Sequence, residues 1–130
     1  MQICNKKAMK KLIVTSIVFF LVAYGHAQTW NLTAYEYAYK TKSYNVWTDW
    51  SDWTDCDIRI KVNSQKIVIY SNATQIYDVI SLISSDGTTF KWQCNDWRGV
   101  NCIIRFEIKT KGTQIYVSYS DAKWVYNVTM

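Results

Sequence analysis

Apolar and polar residues alternate one by one along most of the chain after residue 30, which is the period of a β-strand and not that of a helix. Residues 56–62 read CDIRIKV, and residues 104–109 read IRFEIK. A strand of this kind has one apolar and one wet face, which is typical of antiparallel sheets. The pattern predicts strands at 32–40, 56–62, 66–71, 74–83, 88–95, 101–110, 113–120 and 123–129.

Short polar or glycine-containing stretches separate these segments, among them Ser84–Gly87 and Asp96–Gly99. Short connections favour hairpins between neighbours in sequence. An eight-strand meander leaves two open edges unless the sheet closes on itself. We therefore predict an all-β fold: a small, closed or nearly closed antiparallel barrel, calycin-like in outline, with a two-sheet β-sandwich as the alternative.

One apolar run fits two kinds of secondary structure. Residues 76–83 read IYDVISLI, and Asp78 and Ser81 in it could fit a helical turn. Because no helix caps flank the run, we interpret it as a strand.

The N-terminus has the three regions of a secretory signal. Four lysines precede a 13-residue apolar core from Leu12 to Tyr24, and Gly25 and Ala27 are the small residues at the cleavage site. The apolar core is shorter than the roughly 20 residues of a membrane span. The sequence thus predicts a signal peptide at 1–27 and a single domain at 28–130, secreted or periplasmic and without a membrane span after cleavage.

Removal of the signal changes the charge of the chain. The whole sequence has 15 Lys+Arg and 10 Asp+Glu, and without the four signal lysines 11 oppose 10, a net charge of +1. A nearly neutral domain gives no reason to expect nucleic acid as a partner. The only histidine, His26, lies in the signal, so catalytic triads and histidine-ligated metals are not expected. We expect no cofactor, no metal and no enzymatic activity.

Three cysteines remain after the signal. Cys94 and Cys102 flank the turn at Asp96–Gly99 at symmetric distances, so a hairpin would place them opposite each other. An exported protein meets oxidising conditions. The spacing predicts a Cys94–Cys102 disulfide, and Cys56 is then interpreted as a buried, inert thiol.

The segment 46–56, VWTDWSDWTDC, is the most conspicuous candidate site. Trp47, Trp50 and Trp53 could form a platform for sugar rings, or a protein-binding hot spot. The aspartates between them could bind Ca²⁺, although no EF-hand-like loop is present. The alternative without a function is an aromatic core that caps the barrel, with solvated aspartates.

Tyr35, Tyr37 and Tyr39 share one face of the first predicted strand, and the other face carries residues such as Leu32 and Ala34. We interpret the tyrosines as the inward face. A tyrosine-lined interior would suit an amphiphilic ligand, and a filled core is the alternative.

Several strings resemble one group of proteins. WTDCDIRI at 53–60, KIVIYS at 66–71, QIYDVI at 75–80, QIYVSYSD at 114–121 and WVYNV at 124–128 are similar to small secreted proteins of unknown function from gut Bacteroidota and their crAss-like phages. The resemblance covers about residues 46–128. It implies action at a bacterial envelope or at a host envelope that a phage has modified, and it brings no catalytic residues.

Taken together, these patterns predict an exported, non-enzymatic module, monomeric or weakly associating, that binds a small amphiphile or glycan. The alternative is an envelope- or virion-associated protein that contacts another protein through an exposed aromatic patch.

Overall fold

The computed structural model describes residues 29–130 of the chain, and the predicted signal at 1–27 lies outside these residues. The described part is all β-structure. Its nine strands are β1 Trp30–Ser43, β2 Val46–Trp47, β3 Thr54–Val62, β4 Lys66–Tyr70, β5 Thr74–Ser85, β6 Thr89–Asn95, β7 Asn101–Glu107, β8 Thr113–Ser118 and β9 Ala122–Thr129. No helix in this part has the length and apolarity to cross a membrane.

The sheet closes into a barrel. Strands β1 and β3 to β9 pair antiparallel with their neighbours, and β9 pairs back onto β1 from Thr33↔Thr129 to Thr41↔Ala122. The predicted small antiparallel barrel is confirmed, because the strands belong to one continuous, closed sheet and do not form the two separate sheets of a sandwich. The ambiguous run at 76–83 lies within β5, as interpreted.

The sequence pattern did not predict β2, which is only two residues long. It forms a hairpin with the end of β1, with Lys42 opposite Trp47. Tyr44 and Asn45 at its tip both have positive φ, 53° and 62°. A two-residue loop with two left-handed residues matches the right-handed twist of the flanking strands, so this turn holds the Trp47 segment against β1.

The barrel core is aromatic at the end where β1 begins. Phe90, Phe106 and Trp30 lie together there, with ring centroids 5.2–6.3 Å apart. Trp92 stacks on Phe90 at 5.6 Å. Aliphatic side chains fill the space around these rings, namely Leu32, Ile60, Val62, Ile67, Ile69, Ile104, Ile115, Val117 and Val128. This half of the interior is therefore packed, as expected for an eight-strand barrel.

A β-bulge in β1 corrects the predicted inward face of that strand. The register with both neighbours shifts between Ala34 and Glu36, and a bulge adds one residue that reverses the alternation beyond it. Leu32 and Ala34 therefore belong to the core, against the prediction. Tyr35 is 48% exposed, so its predicted inward position is wrong, whereas Tyr37 packs against the core as predicted.

The predicted Cys94–Cys102 disulfide is also wrong, although the two cysteines do lie opposite each other as predicted. Cys94 and Cys102 are direct partners across β6 and β7, yet both are buried free thiols. Two residues along, the Asp96 N–H donates to the Val100 carbonyl, which makes Cys94–Cys102 a pair of the hydrogen-bonded type. Side chains in such pairs lie further apart than in the alternate type. Burial raises the pKa of Cys94 to about 12 and that of Cys102 to about 11.

We expect residues 28–130 to show three titratable thiols after unfolding without reductant. In the folded protein Cys56 should react first with an aromatic disulfide reagent, because Cys94 and Cys102 are buried and protonated at neutral pH. Absorbance on thiol release measures both numbers. A count of one thiol in the unfolded protein would show that Cys94 and Cys102 are bridged after all.

Candidate functional site

The candidate site lies at the end of the barrel that we call the mouth. Successive strands run in opposite directions, so the connections alternate between the two ends. The connections 44–53, 71–73, 96–100 and 119–121 all lie at the mouth. Loop-lined barrel mouths are frequent ligand sites because the scaffold holds the loops rigidly.

The larger of two recesses at the mouth has a volume of about 490 Å³. It lies between β1, β3, β9 and the turn after β4. The side chains that line it are Tyr37, Cys56, Asp57, Ile58, Tyr70, Ser71, Asn72, Trp124 and Tyr126. The wall thus combines aromatic rings with small polar groups.

The smaller recess, of about 190 Å³, shares the side chains of Trp124 and Tyr126 with the larger one. Its other lining residues are Gln75, Tyr77, Trp97, Arg98, Val117 and Tyr119. We call the two adjoining recesses the aromatic cup. Together they fall within the size range of small-ligand sites.

Hydrogen bonds and ring contacts fix one wall of the cup. The Tyr77 hydroxyl donates to Gln75 Oε1 at 2.8 Å, and Gln75 Nε2 donates to Ser71 Oγ at 3.2 Å. The ring of Trp97 meets that of Tyr77 edge to face at 5.7 Å. These side chains are held in place before any ligand arrives, which lowers the entropy cost of binding.

The turn between β6 and β7 is built around the carboxylate of Asp96, whose side chain is fully buried. Its Oδ1 accepts the backbone N–H groups of Arg98 and Val100 at 2.8 and 2.9 Å. Its Oδ2 accepts the Arg98 guanidinium at 2.7 Å and the Tyr119 hydroxyl at 2.7 Å. The Arg98 guanidinium in turn lies over the ring of Trp97, 5.0 Å from its centroid.

These contacts set the ionisation of Asp96. Burial by itself would raise the pKa of the carboxyl group, but the bonds from Val100, Arg98 and Tyr119 outweigh burial and hold the pKa well below its usual range. The carboxylate is therefore charged at neutral pH and neutralises the arginine beside it. Arg98 is the only cation lining the cup within residues 29–130, so no unpaired positive charge faces a ligand there.

The buried tyrosines of the wall and the Cys56 thiol are neutral. Burial raises the pKa of Tyr126 to about 12, with smaller contributions from Cys56 and Tyr37. Burial also raises the pKa values of Tyr77 and Tyr119. Burial and the acids Asp57, Asp55 and Glu36 raise the pKa of the Cys56 thiol. At neutral pH these groups offer O–H and S–H donors and no anion.

The three tryptophans of the predicted platform lie outside the cup. Trp50 and Trp53 are 39% and 46% exposed, and none of the three lines either recess. The segment continues along the edge of β1, where the Ser51 N–H donates to the Tyr39 carbonyl and the Tyr39 N–H donates to Ser51 Oγ. The alternative in which they cap the barrel as a buried core is wrong.

Lysines surround the ring of Trp47. The ammonium groups of Lys40, Lys42 and Lys123 lie 4.9–5.6 Å from its centroid, and Lys40 also lies 4.8 Å from that of Trp50. Cation–π contacts of this kind hold an exposed indole in place. Of the predicted site residues, the structure thus brings only Tyr37 into the cup. Tyr35 and the three tryptophans line neither recess. Tyr39 lies opposite Trp124, on the same face as Tyr37, but it is 46% exposed and also lines neither recess.

The aspartates of the same segment do not gather into an ion site. Asp49, Asp52 and Asp55 are exposed. Within residues 29–130 no group of three or more His, Cys, Asp or Glu side chains is close enough to hold a metal ion. The arrangement therefore offers no support for the Ca²⁺ hypothesis.

Sequence reasoning did not single out Trp97, Arg98, Trp124 and Tyr126 as site residues. Two signals could have found them. The turn at 96–99 contains a tryptophan and an arginine in addition to its turn residues, and Trp124 and Tyr126 are spaced two apart in the last predicted strand. Spacing by two places side chains on the same face of a strand.

Comparisons with known proteins give no relative from which a role could be carried over. No family model, no curated protein and no solved structure matches the chain.

Proposed function

We propose that this protein is an exported, non-enzymatic binding module that holds a small neutral glycan in the aromatic cup. The observation that carries the proposal is the lining of the cup. Flat rings of Tyr37, Trp124 and Tyr126 stand beside neutral donors and acceptors such as Asn72 and Gln75. A sugar ring has both an apolar face and a rim of hydroxyls, so it matches such a wall on both counts.

The charges of the cup favour a neutral ligand over a fatty acid. A fatty-acid carboxylate would need an unpaired cation, and the guanidinium of Arg98 is already bound to Asp96. Asp57 adds a carboxylate to the wall of the larger recess. An amphiphile with an uncharged polar head remains compatible with the cup, and the experiment below includes this class.

The proposal that the module is non-enzymatic has support from the pKa values. General acid–base catalysis works best with a group whose pKa lies near the working pH. The pKa values of Cys56, Tyr77, Tyr119 and Tyr126 are all raised away from neutrality, and that of Asp96 is lowered far below it.

Tryptophan fluorescence of residues 28–130 tests the proposal, because Trp97 and Trp124 lie in the wall of the cup. Titration with neutral mono- and oligosaccharides should give a saturable shift, with a Kd of about 10 μM to 1 mM. Replacing Trp124→Ala should weaken binding by at least about tenfold, since this ring borders both recesses. Uncharged amphiphiles, fatty acids and uronic acids form the comparison panel.

Trp53→Ala is the matched control, because it removes a half-exposed indole that lines neither recess. It should leave the affinity unchanged. No shift with any neutral sugar would refute the glycan proposal, and saturable binding of an uncharged amphiphile that Trp124→Ala abolishes would reassign the cup to that class. Equal losses from the two variants would place the ligand elsewhere.

A second candidate function is protein binding through the β1–β2 hairpin and the segment after it. The specific observation is that Tyr44 and Val46 are 95% and 67% exposed, a few residues before the half-exposed Trp50 and Trp53. Tyrosine and tryptophan are enriched in protein interfaces. This function predicts that Trp50→Ala weakens binding of an envelope or virion protein while Trp124→Ala does not.

A further inference from the structure

Strand β5 extends past its neighbour β4 at the end of the barrel opposite the mouth. The β4–β5 ladder ends with Lys66 opposite Asp78, whereas β5 continues to Ser85 with β6 beside it. Two register shifts in β5, after Val79 and after Leu82, bend this half of the strand. Within residues 29–130 no strand pairs with its other side.

The backbone of this half of β5 is available for hydrogen bonding. The Val79 N–H points away from β6 and donates to the Gln65 carbonyl at 3.0 Å. Val79 lies opposite Cys94, and Leu82 lies opposite Trp92, two residues along β6. Because backbone groups in a ladder reverse direction at each residue, the N–H and C=O of Leu82 also point away from β6, where no backbone partner meets them in the described chain.

The side chains along this edge are apolar or small. Residues 80–85 read ISLISS and contain no charge and no proline. Ile80, Leu82 and Ile83 are 56%, 45% and 47% exposed. Natural sheets protect open edges with lysines, prolines, bulges or a covering segment. Along residues 80–85 of the described chain, the two bulges are the one such device, and neither a lysine, a proline nor a covering strand adds to them.

We propose that residues 80–85 pair antiparallel with the same segment of a second copy of this chain, forming a two-fold symmetric dimer. An antiparallel strand edge is complementary to itself, because each copy supplies the N–H groups that the other accepts. The segment is uncharged, and the net charge of the chain after residue 27 is only +1. Two copies therefore meet with no like charges within the paired segments.

The size of the contact sets its strength. Six residues span about 20 Å of strand, and a contact of this length lies at the small end of specific interfaces. The dimer is therefore a weak one that forms and separates with concentration. It leaves the mouth free, since β5 reaches the mouth only at its other end, Thr74.

Sedimentation equilibrium of residues 28–130 from about 10 μM to 1 mM tests the dimer. The average mass should rise from that of one chain toward that of two. Ile83→Lys should weaken association by at least about tenfold, since a two-fold dimer contains the added charge twice. Ile76→Lys is the matched control: it lies in the same strand, half exposed but within the ladder to β4, and should leave the association unchanged.

A single-chain mass over the whole range would overturn the proposal, and so would equal weakening by the two lysine variants. Near-ultraviolet circular dichroism establishes that each variant is folded. Hydrogen exchange supplies a second readout: the Leu82 amide should exchange more slowly at high concentration, while the Val79 amide, already bonded within the barrel, stays unchanged. Dimerisation without slower exchange at Leu82 would place the interface on another surface and refute this assignment.

Discussion

Replacing Phe90→Ala should lower the free energy of unfolding by about 3–5 kcal/mol, the largest effect expected of any single core change in this barrel. Phe90 has no exposed surface. Its ring contacts those of Trp30, Trp92 and Phe106 at centroid distances of 5.6–6.3 Å. Removing it opens a cavity that a closed sheet cannot collapse to fill. Urea unfolding of residues 28–130, followed by tryptophan fluorescence, measures the loss.

Tyr35→Ala provides the comparison for this change. It also removes an aromatic ring, but from the bulge on the outer surface, and should cost no more than about 0.5 kcal/mol. Phe90→Leu should fall between the two because it leaves a smaller cavity. If Phe90→Ala lowered the free energy of unfolding as little as Tyr35→Ala does, the aromatic packing described for the end of the barrel where β1 begins would be incorrect.

Replacing Asp96→Ala should cost about 3 kcal/mol, because it leaves several donors without an acceptor at once. This one carboxylate accepts hydrogen bonds from the backbone N–H groups of Arg98 and Val100, from the Arg98 guanidinium and from the Tyr119 hydroxyl. The thermal unfolding midpoint should fall by more than about 10 °C. Because the same turn carries Trp97 and Arg98, sugar binding should weaken as well.

Lowering the pH should cause part of this loss of stability in the protein without any substitution. The pKa of Asp96 is lower in the folded state than its unfolded value of about 3.9. The unfolded state therefore takes up a proton first, and the stability that Asp96 contributes is complete above about pH 5 and falls as the pH drops further. Asp96→Asn should show a smaller decrease in stability between pH 5 and pH 3 than the unchanged protein does.

Asp86→Ala is the matched control for both measurements. Asp86 performs the corresponding role in the turn between β5 and β6, where it accepts the N–H groups of Thr88 and Thr89. Its side chain is exposed and binds no arginine among the described residues. Its loss should therefore be clearly smaller than that of Asp96. Equal effects would indicate that the buried ion pair adds nothing beyond the capping of a turn.

The alternation of apolar and polar residues was enough to predict the fold. In strands β6 to β8 the inward side chains follow a strict period of two, with Phe90 and Phe106 as examples. Burial then fixes the register, since a shift by one residue would turn the whole apolar face outward. The short polar connections indicated the meander, and closure followed from the need to remove two open edges.

The errors arise where one residue departs from that regularity. The bulge in β1 has no signature in composition, and it moves Tyr35 outward while Tyr37 stays inward. The sequence placed Cys94 opposite Cys102 correctly, but facing positions alone do not determine whether two sulfur atoms are bonded. The cup was missed for a related reason: its residues come from six strands and three connections, and only the closed barrel brings them together.

The seam between the first and last strands has a consequence for how the chain reaches its folded state. Eight registered pairs join β1 to β9 across nearly the full length of the domain. Contacts so distant in sequence slow folding, typically to milliseconds or longer. Until residues 122–129 are in place, β1 and β8 are both uncovered along the seam, and the growing barrel can recruit a strand from any neighbouring chain. Pairing of β9, the last strand of the barrel, therefore ends the exposure of these two strand edges to other chains.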